Sequence, residues 1–421
     1  MSSTTQRPVS RWPAGTVFYL LALGSGVMRT LSIATDYVAL GEFDPLVFGF
    51  VAQWVSFLVT LTTVLFLSLK KRHGTARRPL GYSLDPDFGR LSLLPRKPMQ
   101  YVLLAGFFAG VSTACYFFLI GFTDASAVLP YGQLVIIYLL IGDLLAEKDT
   151  PTIIEIQCII SILFGALLVG MTPEGFESPY FLVTLLIVLG PLNLSSALIT
   201  YYQKKAKRYE VAPGLKVDAL NMRVWSLFVL NSVFTLLILP VVTPEQWATV
   251  PLVTPTMIVW MAIGSLATFL SIVLYIRALA RGSMAIVNSL TSISVVLGIP
   301  VSVIGSLTLP GSFGPITSDP TTWILRTFGV ILVVVGIVAL EGSDVRSIIL
   351  IRTKSNAGDL LPALFSVKGV ESASALAGRE DYLLSVRSRS LAKTRKLVLK
   401  KIQQIEGVNT IQTLVVLKEY R

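Results

Sequence analysis

Residues 255–277 have the sequence PTMIVWMAIGSLATFLSIVLYIR, a run of 23 residues in which only the last, Arg277, is charged. An α-helix rises 1.5 Å per residue, so about 20 apolar residues cross the ~30 Å hydrocarbon core of a bilayer. Similar runs recur along the chain, and together they predict ten transmembrane helices in an all-α polytopic membrane protein. The predicted spans cover residues 14–35, 45–69, 100–122, 124–146, 152–171, 179–202, 222–242, 255–277, 283–306 and 322–341.

The composition agrees with a membrane protein. Of the 421 residues, 53% are hydrophobic and 14% are charged, whereas about 25% of residues are charged in an average soluble domain. The two cysteines, Cys115 and Cys158, both fall inside predicted spans, so neither a disulfide framework nor a zinc site is expected. The chain has no Gly-rich phosphate loop, paired histidines or nucleophile elbow. We therefore predict no enzymatic activity, no cofactor and no bound metal.

The charged residues alternate between successive loops. Lys and Arg follow spans two, four, six, eight and ten, as in the runs 70–72 and 204–208, while the other loops carry acidic residues such as Asp44 and Glu174. Cytoplasmic loops are enriched in Lys and Arg. The alternation predicts a cell-membrane protein with both termini in the cytoplasm and residues 1–13 as a cytosolic tail. It also explains the net charge of +11 without a nucleic-acid partner.

Weak internal similarity suggests that the membrane region is duplicated. Residues around Tyr116 in YFFLIGFTDASA align with those around Tyr275 in YIRALARGSMAI, and spans one and six both contain a Leu-Gly step followed by small and polar residues. The predicted repeats are residues 14–171 and 172–345, with five helices each. Since five is odd, the second repeat is inverted, and inverted repeats commonly bind substrate between them near the bilayer midplane.

This arrangement resembles the drug/metabolite transporter superfamily, the EamA-like permeases. The resemblance rests on the ten spans in two inverted fives and on span four, TDASAVLPYGQLVIIYLLIGDLLAEK, whose Gly142–Asp143 approximates the Gly-Glu pair that closes this helix in the family. Span nine has no acidic close and so departs from the pattern. The resemblance implies alternating access of a small solute between the two halves.

Charged and polar residues inside the spans are the candidates for binding. A charge at the centre of a span costs about 2.5–3.5 kcal/mol, so we expect Arg29 either to face a cavity and bind an anionic group or to pair with Asp36 nearer the outer surface. Polar residues favour the bundle interior, where they serve either binding or helix packing. The predicted substrate-binding residues are Arg29, Gln53, Tyr131, Gln133, Asn193, Asn231, Asn288 and Thr291. Asp143 and Glu147, one turn apart, are proton-coupling candidates.

The composition changes after Glu341, where a small domain begins that we place at residues 346–421. Strands are predicted at 348–352, 370–376, 382–386 and 408–417, a short helix at 358–365, and an amphipathic helix in which Leu391, Val398, Ile402 and Ile405 recur at helical spacing. The order βαββαβ predicts an α+β ferredoxin-like fold with one open sheet face.

The same segment closely resembles the ligand-binding domain of Lrp/AsnC regulators. The pattern consists of Gly369–Val370, Gly378, Asp381, Leu383–Leu384, Gly407–Val408, Thr413 and Leu417–Lys418–Glu419. The resemblance implies a homodimer formed through the sheet, with an amino-acid effector bound between subunits near Gly378 and Asp381. A purely structural dimerisation module and the related ACT fold remain alternatives.

We therefore expect a secondary transporter of a small organic solute, such as an amino acid or metabolite, with a cytoplasmic domain that dimerises and senses an amino acid. The alternatives are a transporter of inorganic cations such as magnesium and a membrane-anchored sensor. Hard cations prefer oxygen anions, which are scarce in the spans.

Overall fold

Apolar helices make up most of the chain in the computed structural model. It describes residues 14–40, 43–73, 76–120, 132–146, 153–170, 183, 186–308, 319–342, 345–354, 358–367, 370–388 and 399–415. By their internal contacts the residues form two compact units, one comprising 18–150 and 159–336, the other containing 337–421. The predicted tail at residues 1–13 lies outside the described residues.

Helices account for most of the described residues in the predicted spans. In chain order they are α1 (Ala14–Leu40), α2 (Pro45–Leu67), α3 (Arg96–Ile120), α4 (Val135–Ala146), α5 (Ile153–Gly170), α6 (Asn193–Lys207), α7 (Ala219–Ile238), α8 (Pro244–Trp247), α9 (Pro255–Leu279), α10 (Met284–Thr291), α11 (Ile293–Thr308) and α12 (Pro320–Gly342). Two short antiparallel hairpins, β1 (Lys70–His73) with β2 (Ala76–Pro79) and β3 (Glu210–Ala212) with β4 (Leu215–Lys216), lie in loops predicted as basic.

Among the described residues, six segments are long and apolar enough to cross a membrane. They are Thr16–Leu40, Pro45–Leu67, Arg96–Leu119, Ala219–Ile238, Pro255–Leu279 and Met284–Gly305. Gly132–Asp143, Ile156–Leu168 and Trp323–Ala339 are shorter apolar helices. The finding agrees with a membrane protein, while ten crossings in two inverted repeats remain a prediction.

Side chains at the helix starts explain where several helices begin. Asp44 accepts hydrogen bonds from the backbone N–H groups of Leu46 and Val47 at 2.9 and 3.2 Å, and Pro45 occupies the first position of α2. Thr254 caps α9 in the same way, again followed by a proline. Such side chains satisfy backbone donors that have no partner within the helix.

Helix α1 is longer than predicted. The prediction ended the first span at residue 35 and assigned Asp36 to a loop, but α1 continues to Leu40. In the sequence, Asp36 interrupts the apolar run, whereas in the structure Asp36 is one of the residues of α1. This correction changes the role open to Asp36, because it places a carboxylate within the helical bundle.

The C-terminal unit contains a four-stranded antiparallel sheet. Its elements are β5 (Val345–Thr353), α13 (Leu361–Phe365), β6 (Val370–Ala375), β7 (Tyr382–Ser388), α14 (Lys400–Gln403) and β8 (Val408–Val415). The strand order is β6-β7-β5-β8, and the element order matches the sequence prediction. Most of the predicted second helix, at 391–398, lies outside the described residues.

One face of this sheet forms the core of the small domain. Ile349 and Ile351 of β5 are fully buried, and Ile349 pairs with Leu384 of β7. Leu364 and Ile402 from the two helices pack against them. Gly407 has a φ of 100° in the turn before β8, a left-handed conformation that glycine adopts without steric cost.

Candidate functional site

A cavity of about 390 Å³ lies within the helical unit. Side chains from α1, α2, α3, α6, α7, α9 and α10 line it. These helices belong to both predicted halves of the membrane region. The cavity is therefore where the structure brings together residues that are far apart in the sequence.

Helix α1 contributes a polar stripe to the cavity. Ser25, Arg29, Ser32 and Asp36 all line it, and their spacing of four, three and four residues places them on one helix face. Two of the serines also hold α1 against α9, since Ser25 Oγ lies 3.2 Å from Ser271 Oγ and Ser32 hydrogen-bonds Thr268. Arg29 thus faces a cavity, which is one of the two positions that the sequence predicted for it.

Arg29 and Asp36 form no ion pair with each other within the described structure. Seven residues of α-helix separate them by about 10 Å along the axis, and both line the same cavity. The pairing alternative for Arg29 is therefore not realised. Arg29 is an exposed residue that lines the cavity. Its side chain is therefore available to a solute.

The tyrosines at the aligned repeat positions, Tyr116 on α3 and Tyr275 on α9, also line the cavity. The Tyr275 hydroxyl lies 2.9 Å from Thr200 Oγ1 and accepts a hydrogen bond from Asn288 Nδ2. Of the predicted binding residues, Asn288, Thr291 and Gln53 join Arg29 in the lining. These four meet the geometric requirement for binding residues.

Three other predicted residues are buried in helix contacts and do not line the cavity. Gln133 Oε1 accepts from Ser292 Oγ at 2.6 Å, and Asn231 Nδ2 donates to the Gln53 carbonyl at 2.7 Å. Asn193 Nδ2 donates to the Val188 carbonyl at 2.7 Å. Their positions correspond to the packing alternative for polar side chains in helical bundles. Tyr131 lies outside the described residues.

The Gly190–Pro191 step interrupts the helix as its composition suggests. Residues Val188–Leu192 form a π-helical turn, in which Gly190 has non-helical angles of φ −91° and ψ −105°. A proline breaks the hydrogen-bonding ladder and frees carbonyl groups. Side chains add hydrogen bonds around the interruption, because Asn193 Nδ2 bonds the Val188 carbonyl and Ser196 Oγ bonds that of Leu192 at 2.8 Å.

Asp143 occupies a buried structural position. It is 3% exposed and accepts hydrogen bonds from Lys204 Nζ at 3.3 Å, Met284 N at 3.1 Å and Ala285 N at 2.9 Å. The carboxylate thereby joins α4, α6 and the start of α10. These contacts give it a capping and ion-pairing role, and proton coupling by Asp143 remains a prediction. Its predicted partner Glu147 lies outside the described residues.

A second buried ion pair lies near the ends of α6 and α7. Asp85 Oδ2 accepts from Lys207 Nζ and from Ala219 N, both at 2.7 Å, and Asp87 lies 3.2 Å from the same Lys207. The nearby Asp218 caps α7, and burial raises its pKa to about 6 although hydrogen bonds from Asn221 oppose the shift. The loop that carries Asp85 is thus fixed to both helix ends.

Two functional candidates escaped the sequence analysis. Arg223 on α7 and Gln203 on α6 line the cavity and are only 5% and 7% exposed. Arg223 lies one turn inside its helix and Gln203 precedes a basic run, so in the sequence both resemble interfacial residues. The sequence feature that could have identified Gln203 is the recurrence of polar residues at helical spacing on α6, at Ser196, Thr200 and Gln203.

In the C-terminal domain, Asp381 is held by the sheet. Its Oδ2 accepts from Thr353 N at 2.7 Å and from Thr353 Oγ1 at 2.8 Å. These hydrogen bonds lower the pKa of the Asp381 carboxyl. Gly378 lies in the exposed loop that precedes it. Asp381 therefore stabilises the loop, and its predicted contact with an effector stays a prediction.

Comparisons with known proteins agree with the C-terminal part of the prediction. Residues 347–421 match the family model of the Lrp/AsnC ligand binding domain, which confirms the resemblance seen in the sequence. No curated protein matches the chain. A solved structure described as "Crystal structure of protein" is similar in fold, with a TM-score of 0.50 and 12% sequence identity, over 77% of this chain and 96% of the other.

Proposed function

We propose that the protein is a secondary transporter of a small organic solute, working by alternating access in the cell membrane. The observation that carries the proposal is the cavity of about 390 Å³ that Arg29 and Asp36 line together with polar residues of six other helices. Ionisable residues within membrane helices typically mark substrate pathways. A polar cavity inside apolar helices is the site that such a transporter requires.

The positions of two tyrosines support a duplicated membrane region of the EamA type, with ten crossings in two inverted halves. Tyr116 and Tyr275 were aligned from the sequence alone, and both line the cavity. Inverted repeats place corresponding residues around one central site. Both termini would then lie in the cytoplasm, as the distribution of Lys and Arg indicates.

The C-terminal domain supports a sensing role beside transport. Because residues 347–421 match a ligand binding domain family, we propose that this domain forms a homodimer and binds an amino-acid effector. A ligand regulates a transporter only if it binds two transporter conformations with different affinity. The same match favours the second candidate function, a membrane-anchored sensor in which the helical unit does not transport.

Transport of inorganic cations has less support. Among the described residues, no group of three or more His, Cys, Asp or Glu side chains is arranged to hold a metal ion. The charges lining the cavity are Arg29, Arg223 and Asp36, two positive and one negative. Hard cations bind clustered oxygen anions, so this lining is better suited to an anionic or zwitterionic solute.

Counterflow in proteoliposomes tests the proposal. Vesicles containing the full chain are loaded with a panel of unlabelled amino acids and carboxylic acids, and entry of the labelled solute is measured. We expect Arg29→Ala to lower the initial rate at least tenfold, because a charge-assisted hydrogen bond contributes about 1.5–3 kcal/mol. Arg326→Ala serves as the control, since Arg326 is a helix arginine that does not line the cavity.

Two outcomes would contradict the transporter proposal. One is the absence of counterflow for every solute in vesicles with correctly folded protein, which would favour the sensor. The other is equal transport by wild type and Arg29→Ala, which would show that the transported solute does not bind Arg29 in the cavity.

A further inference from the structure

Two residues that line the cavity each have a buried polar atom with unfilled hydrogen-bonding capacity. Within the described residues, Arg223 Nε and Gln203 Oε1 have no hydrogen-bond partner. The two residues are 5% and 7% exposed, and both line the cavity. An unpaired buried donor or acceptor costs about 1–3 kcal/mol, and more if charged. A polar group of a solute that reaches these atoms from the cavity would remove this cost.

The two residues lie near adjacent helix ends. Gln203 is four residues before the end of α6 at Lys207, and Arg223 is four residues after the start of α7 at Ala219. Four residues correspond to about 6 Å of helix. Asp85 bonds both Lys207 and the backbone N–H of Ala219, so these helix ends are adjacent, and both residues line the cavity close to them.

The unfilled atoms define complementary chemistry. A guanidinium donates two parallel hydrogen bonds to a carboxylate or a phosphate, whereas the oxygen of Gln203 accepts from an N–H or O–H group. The charged groups lining the cavity, Arg29, Arg223 and Asp36, sum to one positive charge. This positive excess favours a solute that has a carboxylate group, and a phosphate dianion exceeds it.

From these observations we infer that Arg223 and Gln203 form a subsite for the carboxylate end of a 2-amino or 2-hydroxy acid. Arg223 binds the carboxylate, and Gln203 accepts a hydrogen bond from the neighbouring ammonium or hydroxyl group. The inference rests on the proposed transport function for its context and deepens it by naming the solute class. The rest of the cavity, which includes Phe117, Tyr116 and Leu230, accommodates the side chain of the solute.

Four related probes separate the contributions of the two residues. They are L-phenylalanine, L-3-phenyllactate, 3-phenylpropionate and phenethylamine, which differ in the carboxylate and in the neighbouring donor. Binding is measured calorimetrically on the purified full-length protein in detergent. We expect the amino and hydroxy acids to bind at least tenfold more tightly than 3-phenylpropionate, because the latter leaves Gln203 unpaired, and phenethylamine to bind most weakly.

Substitutions assign the effects to the residues. Arg223→Gln should weaken all three carboxylates at least tenfold, and Arg223→Lys, which keeps the charge but loses the two-pronged geometry, should weaken them less. Gln203→Leu should reduce the preference for phenyllactate over phenylpropionate to about twofold or less, because no acceptor then distinguishes them. Arg326→Gln is the matched control, expected to bind as wild type. Gel filtration and the thermal midpoint verify that each variant is folded.

The inference is overturned if 3-phenylpropionate binds wild type as tightly as phenyllactate, if none of the four probes binds, or if folded variants of Arg223 retain wild-type affinity. Binding and transport are measured separately, so the two proposals fail independently. Binding with the expected pattern but without counterflow contradicts transport and supports the subsite. Counterflow of solutes lacking a carboxylate, without binding of these probes, supports transport and overturns the subsite.

Discussion

Among single residues, we expect the members of the buried Asp143–Lys204 pair to be sensitive to substitution. Lys204 is only 2% exposed, and its Nζ lies 3.3 Å from Asp143. Removing one member of a buried ion pair weakens the compensation of the other buried charge. A substitution of either residue alone should therefore destabilise the helical unit more than a substitution of both.

We predict that Asp143→Asn destabilises the protein by about 3–5 kcal/mol, whereas Asp143→Asn combined with Lys204→Met recovers much of the loss. The measurement is thermal unfolding of the purified protein in detergent. An equally low midpoint in the double variant would contradict the prediction. Loss of the pH dependence of transport in a stable double variant would indicate that Asp143 couples protons.

The sequence located only part of the cavity lining. Arg29 was identifiable because placing a cation in the middle of a membrane span costs free energy, so such a residue usually has a functional role. Arg223 was not, since a cation near a helix start resembles an interfacial residue. Asn193 and Asn231 resemble Asn288 in the sequence, but Asn193 bonds the Val188 carbonyl of its own interrupted helix, and Asn231 bonds the Gln53 carbonyl of α2.

At the scale of elements, small residues determine how closely α3 and α7 pack. A Cβ atom added at Gly106 would lie 2.6 Å from the Ser226 carbonyl oxygen, and one added at Gly110 would lie 2.9 Å from that of Leu230. Glycines four residues apart allow two membrane helices to approach at their backbones. This contact also fixes Ser226 and Leu230, which line the cavity.

We predict that Gly106→Ala lowers stability by about 1–3 kcal/mol, because the carbonyl of the facing helix must move. Gly298→Ala is the matched control, since Gly298 lies in helix α11 with open space around an added Cβ, and we expect it to be neutral or slightly stabilising. Thermal midpoints of both variants test this. Equal shifts in the two variants would argue against close packing of α3 and α7.

Element boundaries were predicted less accurately than element types. The acidic Asp36 ended the first predicted span at residue 35, but hydrogen bonding of the helix continues to Leu40. The strand at 348–352 was predicted from alternation and that at 370–376 as a strand candidate, and they extend over Val345–Thr353 and Val370–Ala375. A polar residue that faces a cavity gives the same signal as a loop, which explains the error in α1.

In the whole molecule, the face of the C-terminal sheet away from α13 and α14 carries apolar side chains within the described residues. Ile348 and Leu350 alternate with the buried Ile349 and Ile351 and therefore lie on the face away from α13 and α14. Leu383 pairs with Leu350 across the strands, and Leu414, 45% exposed, pairs with Ile348. An apolar sheet face of this kind is typical of an interface.

We predict that the full-length protein is a dimer and that Leu350→Glu, which places a charge at the centre of this face, makes it a monomer because burying an unpaired carboxylate is costly. Phe365→Glu is the matched control, because Phe365 is 60% exposed on helix α13, on the other side of the sheet. The mass of each protein in detergent is measured by light scattering with correction for bound detergent. A monomeric wild type would refute the dimer, and a dimeric Leu350→Glu variant would place the interface elsewhere.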